Sequence, residues 1–89
     1  MPRVVFTSNL QRHVAVPERE VDGATVAQAL AAVFAQSPQV RDYVVDEQGH
    51  LRKHVVIYID GKRIADRQHQ SDTVGPGSEI CVFQALSGG

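Results

Sequence analysis

The 89-residue chain has no tryptophan, one methionine and one cysteine. With Cys81 alone there is neither an internal disulfide nor a zinc quartet. There is no excess of positive charge: the net charge is −1 and no basic run occurs, so composition makes no case for nucleic acid. No apolar run is long enough to span a bilayer, and a membrane partner is not expected. Met1-Pro2-Arg3 passes directly into a strand-like run with no signal peptide in view, so the expected location is cytoplasmic. Also missing is any nucleophile–base pair or metal set. His50 and His54 stand four apart across an expected loop and strand, where that spacing does not converge two side chains, and they read as solvated. Asp60-Gly61 and Gly75-Pro76-Gly77 are turn chemistry, without the strand-to-helix context or the Lys-Ser/Thr of a phosphate loop.

What is present is the material of a soluble domain, 43% hydrophobic and 21% charged. This length makes one domain with a modest core that needs no staples. Arg3 to Thr7 is β-branched and aromatic and predicts a strand. Asn9 marks a turn, and the alternation from Arg12 to Val16 completes an amino-terminal hairpin. Val21-Asp22-Gly23 breaks the pattern.

Thr25 to Gln36 is the clear helix. Its capping box predicts that the Thr25 hydroxyl takes an orphan amide and that Gln28 reaches back to the cap residue. Val26, Ala29, Leu30, Val33 and Phe34 form one apolar stripe. Ser37-Pro38 ends the helix, with a further short turn over Gln39 to Tyr43. Tyr43 to Val45 and Leu51 to Lys53 flank Asp46-Glu47-Gln48-Gly49, a second hairpin with Gly49 at positive φ. His54 to Ile59 is the strongest strand signal. Asp60-Gly61 is a tight turn, and Lys62 to Ile64 pairs back after it. Ala65 to Thr73 is polar and irregular. Pro76 and Gly77 suit the centre of a turn, and Ile80 to Leu86 is the last strand.

The order is β-β-α-β-β with an extra hairpin. One helix must bury its stripe against one sheet face. With the first and last strands side by side, parallel and central, the fold is α+β: a β-grasp, a mixed sheet packed on one main helix. The expected domain covers residues 1–86, and residues 87–89 form a flexible tail. That tail is Ser87-Gly88-Gly89. A terminal glycine pair adds no packing and loses the most backbone entropy on ordering. It finishes a fold poorly, but it makes a thin strand of chain carrying a bare carboxylate, able to thread a channel where side chains would clash.

With Val4-Val5-Phe6, the capped helix from Thr25, Ile57-Tyr58-Ile59-Asp60-Gly61, Gly77-Ser78-Glu79-Ile80 and the closing diglycine, the chain resembles the ubiquitin-like sulfur-carrier family, the MoaD/ThiS group, over essentially its whole length. The resemblance implies that an ATP-dependent activating enzyme adenylates the Gly89 carboxylate. A sulfur donor then converts the acyl-adenylate to a thiocarboxylate, and a sulfur-using synthase consumes it in molybdopterin, thiamine, cysteine or related biosynthesis. Leu51-Arg52-Lys53-His54 with Val55 to Tyr58 is similar to longer carriers, including those of cysteine biosynthesis. On this reading the chain binds no cofactor and is a protein co-substrate rather than an enzyme. Two other readings stand beside it: a modifier conjugated to lysines through Gly89, and a plain β-grasp binding module.

If Ile57, Ile59, Ile80 and Val82 face the helix, then Val56, Tyr58, Cys81 and Phe83 share the outer sheet face. The resemblance implies that the place of Phe83 contacts the activating enzyme, and an exposed apolar patch on a small domain marks a partner. A bulge reversing the alternation would instead put Phe83 in the core. Arg63, with Lys62, Arg67, Arg52 and Lys53, forms a loosely basic region suited to an acidic partner surface. Cys81 reads as an inert small hydrophobe.

Overall fold

The computed structural model describes residues 1–6 and 19–84. The expected strand over residues 12–16, the turn at Asn9, and Ser87, Gly88 and Gly89 lie outside them. Among the described residues the elements are β1 (Arg3–Phe6), β2 (Arg19–Glu20), α1 (Val26–Gln36), α2 (Pro38–Val44), β3 (Val55–Ile59), β4 (Lys62–Arg63) and β5 (Glu79–Gln84). They build a five-stranded sheet in the order β2-β1-β5-β3-β4. β1 and β5 pair in parallel, and the remaining pairs are antiparallel. This is the expected β-grasp, with the first and last strands adjacent and inside the sheet.

The period-two alternation of the strands sets the two faces. Val4 and Phe6 of β1, Val55 and Ile57 of β3, and Ile80 and Val82 of β5 are buried beneath Val26, Ala29, Leu30 and Val33 of α1. Phe34 and Ile59, expected inside, are only partly buried at the margin of that core. Ile59 is the last residue of β3 and Phe34 lies in the last turn of α1, and both still pack against the core.

The amino end of α1 shows why the helix begins where it does. Thr25 Oγ1 accepts the Gln28 N–H at 3.2 Å. The Gln28 side chain returns not to the cap residue, as the sequence predicts, but to the N–H of Ala24 before it, at 2.7 Å. The other orphan amides go to a segment far along the chain: Val26 donates to the Asp72 carbonyl at 3.0 Å and Ala27 to that of Gln70 at 2.9 Å. Gln70 holds a φ of 52° to do so, and its buried amide donates to the Arg67 carbonyl at 2.8 Å. Gly23 lies so close that a β-carbon there would stand 2.8 Å from the Ala29 nitrogen.

The polar stretch over residues 65–73 is therefore ordered without strand or helix. Asp66 accepts the amides of Gln68 and His69 and the Ser71 hydroxyl, and Asp72 accepts the amides of Ala65 and Asp66. The Ser71 hydroxyl, then the His69 amide, hold the Asp66 carboxyl down at about 2.

Two expectations about the middle of the chain are corrected. The short turn after Pro38 is a two-turn helix, α2, that buries Val40 and Val44. Tyr43 and Val44 thus belong to a helix, and the second hairpin shrinks to one bridge, Val45 to Leu51, around Gly49 at φ 83°. Proline at the first helical position favours continuing as helix over extending into strand.

Candidate functional site

The hairpin register brings the predicted outer-face residues together. Residues directly opposite on neighbouring strands share a face. Cys81 on β5 lies opposite Val5 on β1 and Tyr58 on β3, and Tyr58 lies opposite Arg63 on β4. One row thus runs Val5–Cys81–Tyr58–Arg63 across the sheet. In the next row Phe83 faces Val56. No bulge intervenes, so Phe83 is not in the core: it is 41% exposed, and Val56, Tyr58 and Cys81 are half-buried. Asp60 and Gly61, both at positive φ (50° and 85°), close the β3–β4 turn and lock this register. Asp60 Oδ1 also accepts the Glu79 amide at 2.9 Å, tying that turn to the start of β5.

On the far side of the apolar rows, Arg3 and Glu79 are paired across β1 and β5 at 2.7 Å, both partly exposed. Such a pair contributes little to stability, about 0–1 kcal/mol, but it cancels two charges on this face. Partial burial, and next the Glu79 carboxylate 3.4 Å from Sγ, push the Cys81 thiol up. That works against thiolate chemistry.

The expected basic region does not hold together as one surface. Arg67 is a structural group: its guanidinium donates to the carbonyls of Val55 at 2.7 Å and Arg52 at 3.0 Å, pinning the start of β3. The Arg52 side chain bonds the Asp42 carbonyl. Lys53, Lys62 and Arg63 are exposed. Of these, Arg63 shares the outer face with Tyr58, while Lys62 alternates to the opposite side.

His54 is exposed, but His50 is partly buried with its ring edge-on to His69 at 5.8 Å, a contact the sequence does not reveal. Among the described residues no three His, Cys, Asp or Glu side chains converge as a metal site. A shallow polar depression is lined by Asp46, Glu47, Gln48 and Arg52. Its Asp46 carboxylate is occupied by the amides of Gln48 and His50, chiefly the latter, which lowers its pKa. No helix among the described residues is long and apolar enough to cross a membrane.

The fold and the strand leading to the diglycine define a ubiquitin-like β-grasp protein. The ThiS family matches residues 6–89, and the chain belongs to that family. SAMP1 from Haloferax volcanii superposes with a TM-score of 0.76 at 26% identity, over 99% of this chain and 98% of that one. A chain of the BexX/CysO complex from Amycolatopsis orientalis gives 0.83 at 19% identity, over 100% of both. CysO from Mycobacterium tuberculosis gives 0.80 at 16%, over 97% and 100%. Comparison with curated proteins found no match.

Proposed function

We propose that this protein is a cytoplasmic sulfur carrier that works through the carboxylate of Gly89. The observation that supports this most is the family match, which runs through Gly88 and Gly89 and continues from a central strand with an exposed aromatic near its exit. A carboxylate is a poor electrophile. In the proposed reaction its oxygen attacks the α-phosphorus of ATP on the activating enzyme, and pyrophosphate leaves. A hydrosulfide-level donor then attacks the acyl carbon, AMP leaves, and a thiocarboxylate remains. The carrier contributes no base and no cofactor of its own. Ser87 and Gly88 provide narrow chain to reach the enzyme's site, and Phe83, Tyr58, Val56 and Arg63 provide the docking face. The sulfur then passes to a synthase of cofactor or cysteine biosynthesis.

SAMP1 from Haloferax volcanii, 26% identical to this chain, is called a small archaeal modifier protein, which favours conjugation through Gly89 as the second reading. Intact-mass spectrometry after incubation with the source organism's adenylating enzyme, ATP and sulfide separates them. A carrier exchanges one terminal oxygen for sulfur, whereas a modifier leaves branched peptides, joined through Gly89, on other proteins. Deleting Gly89, or adding one residue after it, should abolish the exchange without moving the thermal midpoint, because a terminal glycine has no side chain to pack. Normal thiolation of the extended chain would overturn the mechanism.

A further inference from the structure

The chain contains the dipeptides Asp22-Gly23 and Asp60-Gly61, and both aspartates are exposed. In such a pair the glycine nitrogen can attack the aspartyl side-chain carbon, because no β-carbon on the following residue shields it. The fold treats the two pairs differently.

Asp60 is held on both sides. Its Oδ1 accepts the Glu79 amide at 2.9 Å, and its own amide donates to the Glu79 carbonyl at 2.9 Å. It sits at φ 50° in the β3–β4 turn, with its carboxylate committed to the start of β5. Asp22 has no such hold. Among the described residues neither its carboxylate nor the Gly23 amide has a hydrogen-bond partner. The pair lies in irregular chain between β2 and α1.

Packing also calls for the glycine at this place. A β-carbon on residue 23 would stand 2.8 Å from the Ala29 nitrogen, on helix backbone that cannot turn aside. The residue type that lets the chain approach α1 is thus the one that leaves the amide nitrogen unshielded.

We infer that Asp22-Gly23 is a site of spontaneous isoaspartate formation and that Asp60-Gly61 is protected from it. The Gly23 nitrogen attacks Asp22 Cγ. The N–Cγ bond forms, the bond from Cγ to the carboxyl hydroxyl breaks, and that hydroxyl leaves as water with the amide proton. A second water opens the succinimide. Cleavage of the N–Cγ bond restores aspartate. Cleavage between the nitrogen and the Asp22 main-chain carbonyl carbon leaves the chain running through Cγ, with a free α-carboxylate open to methyl esterification. The main chain is then one carbon longer between two fixed points. Val21 is buried and donates to the Pro2 carbonyl at 2.9 Å, while Ala24 accepts the Val74 amide at 2.9 Å and donates to the Gln28 side chain. Extra length between them loosens the entry to α1. This chemistry is independent of what Gly89 does.

The test ages the full chain at neutral pH, both folded and in urea. Peptide mass spectrometry with electron-transfer fragmentation locates isoaspartate, and methyl transfer from S-adenosylmethionine by a purified isoaspartyl methyltransferase counts it. The urea sample gives the intrinsic rate of each pair. Relative to those rates, isoaspartate at residue 22 of the folded chain is expected to exceed that at residue 60 by about tenfold, since Asp60 must first release its hold on β5. Asp22→Glu, which would have to close a larger ring, should remove the folded-state signal. The separated isoaspartyl chain should unfold at lower urea than the fresh one. Equal relative yields at the two positions, a greater yield at residue 60, or a signal at residue 22 in urea alone overturns the inference. An unchanged urea midpoint overturns the loosening of α1.

Discussion

The ring of Tyr58 meets that of Phe83 edge to face, with centroids 5.4 Å apart and planes at 82°. The contact is diagonal, because the residue directly across from Phe83 is Val56. Phe83 is held by this neighbour yet keeps its outer side in solvent. An edge-on aromatic pair is worth about 0.5–1.5 kcal/mol, enough to fix a rotamer without making the ring part of the core.

Phe83→Ala should weaken binding to the activating enzyme by about 2 kcal/mol or more, as loss of a central aromatic anchor does. Leu30→Ala should instead cost roughly 2–5 kcal/mol of folding stability, since it empties a fully buried site. Denaturant titration and calorimetric binding of the two variants make the comparison. If Phe83→Ala destabilises the domain as much as Leu30→Ala while folded molecules bind normally, the docking face lies elsewhere.

Gly23→Ala should destabilise by on the order of 1–3 kcal/mol through overpacking. The added methyl would meet the Ala29 nitrogen at 2.8 Å, its Cα at 3.1 Å and the Gln28 carbonyl carbon at 3.2 Å. All three are helix backbone, which has no rotamer to change. A thermal midpoint equal to wild type would show that the segment before α1 can retreat without loss.

Thr25→Ala should cost about 1 kcal/mol by removing the cap. Gln28→Ala should cost about 0.5–1.5 kcal/mol, because the Ala24 N–H loses its acceptor. The two groups bond different amides, so the double variant should cost close to the sum. A double-mutant cycle in urea reads this directly.

Asp66 makes part of the stability acid-sensitive. Its carboxyl is held down to about 2, first by the Ser71 hydroxyl, against 3.8 for a free aspartate. A group depressed on folding stabilises above its unfolded value and loses that contribution as pH falls through its folded one. The stability gap between wild type and Asp66→Ala should therefore be full near pH 6 and close between about pH 4 and about pH 2. Urea midpoints across that range test it, and a gap that does not change with pH would refute the role.

Much of the fold is legible in local pattern. Alternation in Val55–Ile59 and Glu79–Gln84 sorts inner from outer side chains, and by itself it places Phe83, Tyr58 and Val56 on one face. The helix stripe and the Asp60-Gly61 turn are equally local signals. What escapes is carried by contacts distant in sequence. β2 is an Arg-Glu dipeptide with no apolar alternation, defined only by its pairing with β1. Arg67 looks like surface charge until the carbonyls of Arg52 and Val55 fold over it. The 65–73 segment looks idle because its work, closing the amino end of α1, is done on residues some forty positions earlier.

The parallel pairing of β1 with β5 has a consequence for synthesis on the ribosome. Arg3 and Glu79 lie 76 residues apart in sequence yet pair in the middle of the sheet. No nascent chain lacking β5 has a sheet to complete: β1 and β3 would each wait with an open edge, and the core would lack Ile80 and Val82. Loop closure over such a span is slow compared with local pairing. A chain terminated before β5 is therefore expected to lack a complete core and to be cut readily by proteases. By this argument the domain closes only once the strand that leads into the diglycine has been made, so folding itself reports that the chain has been synthesised that far.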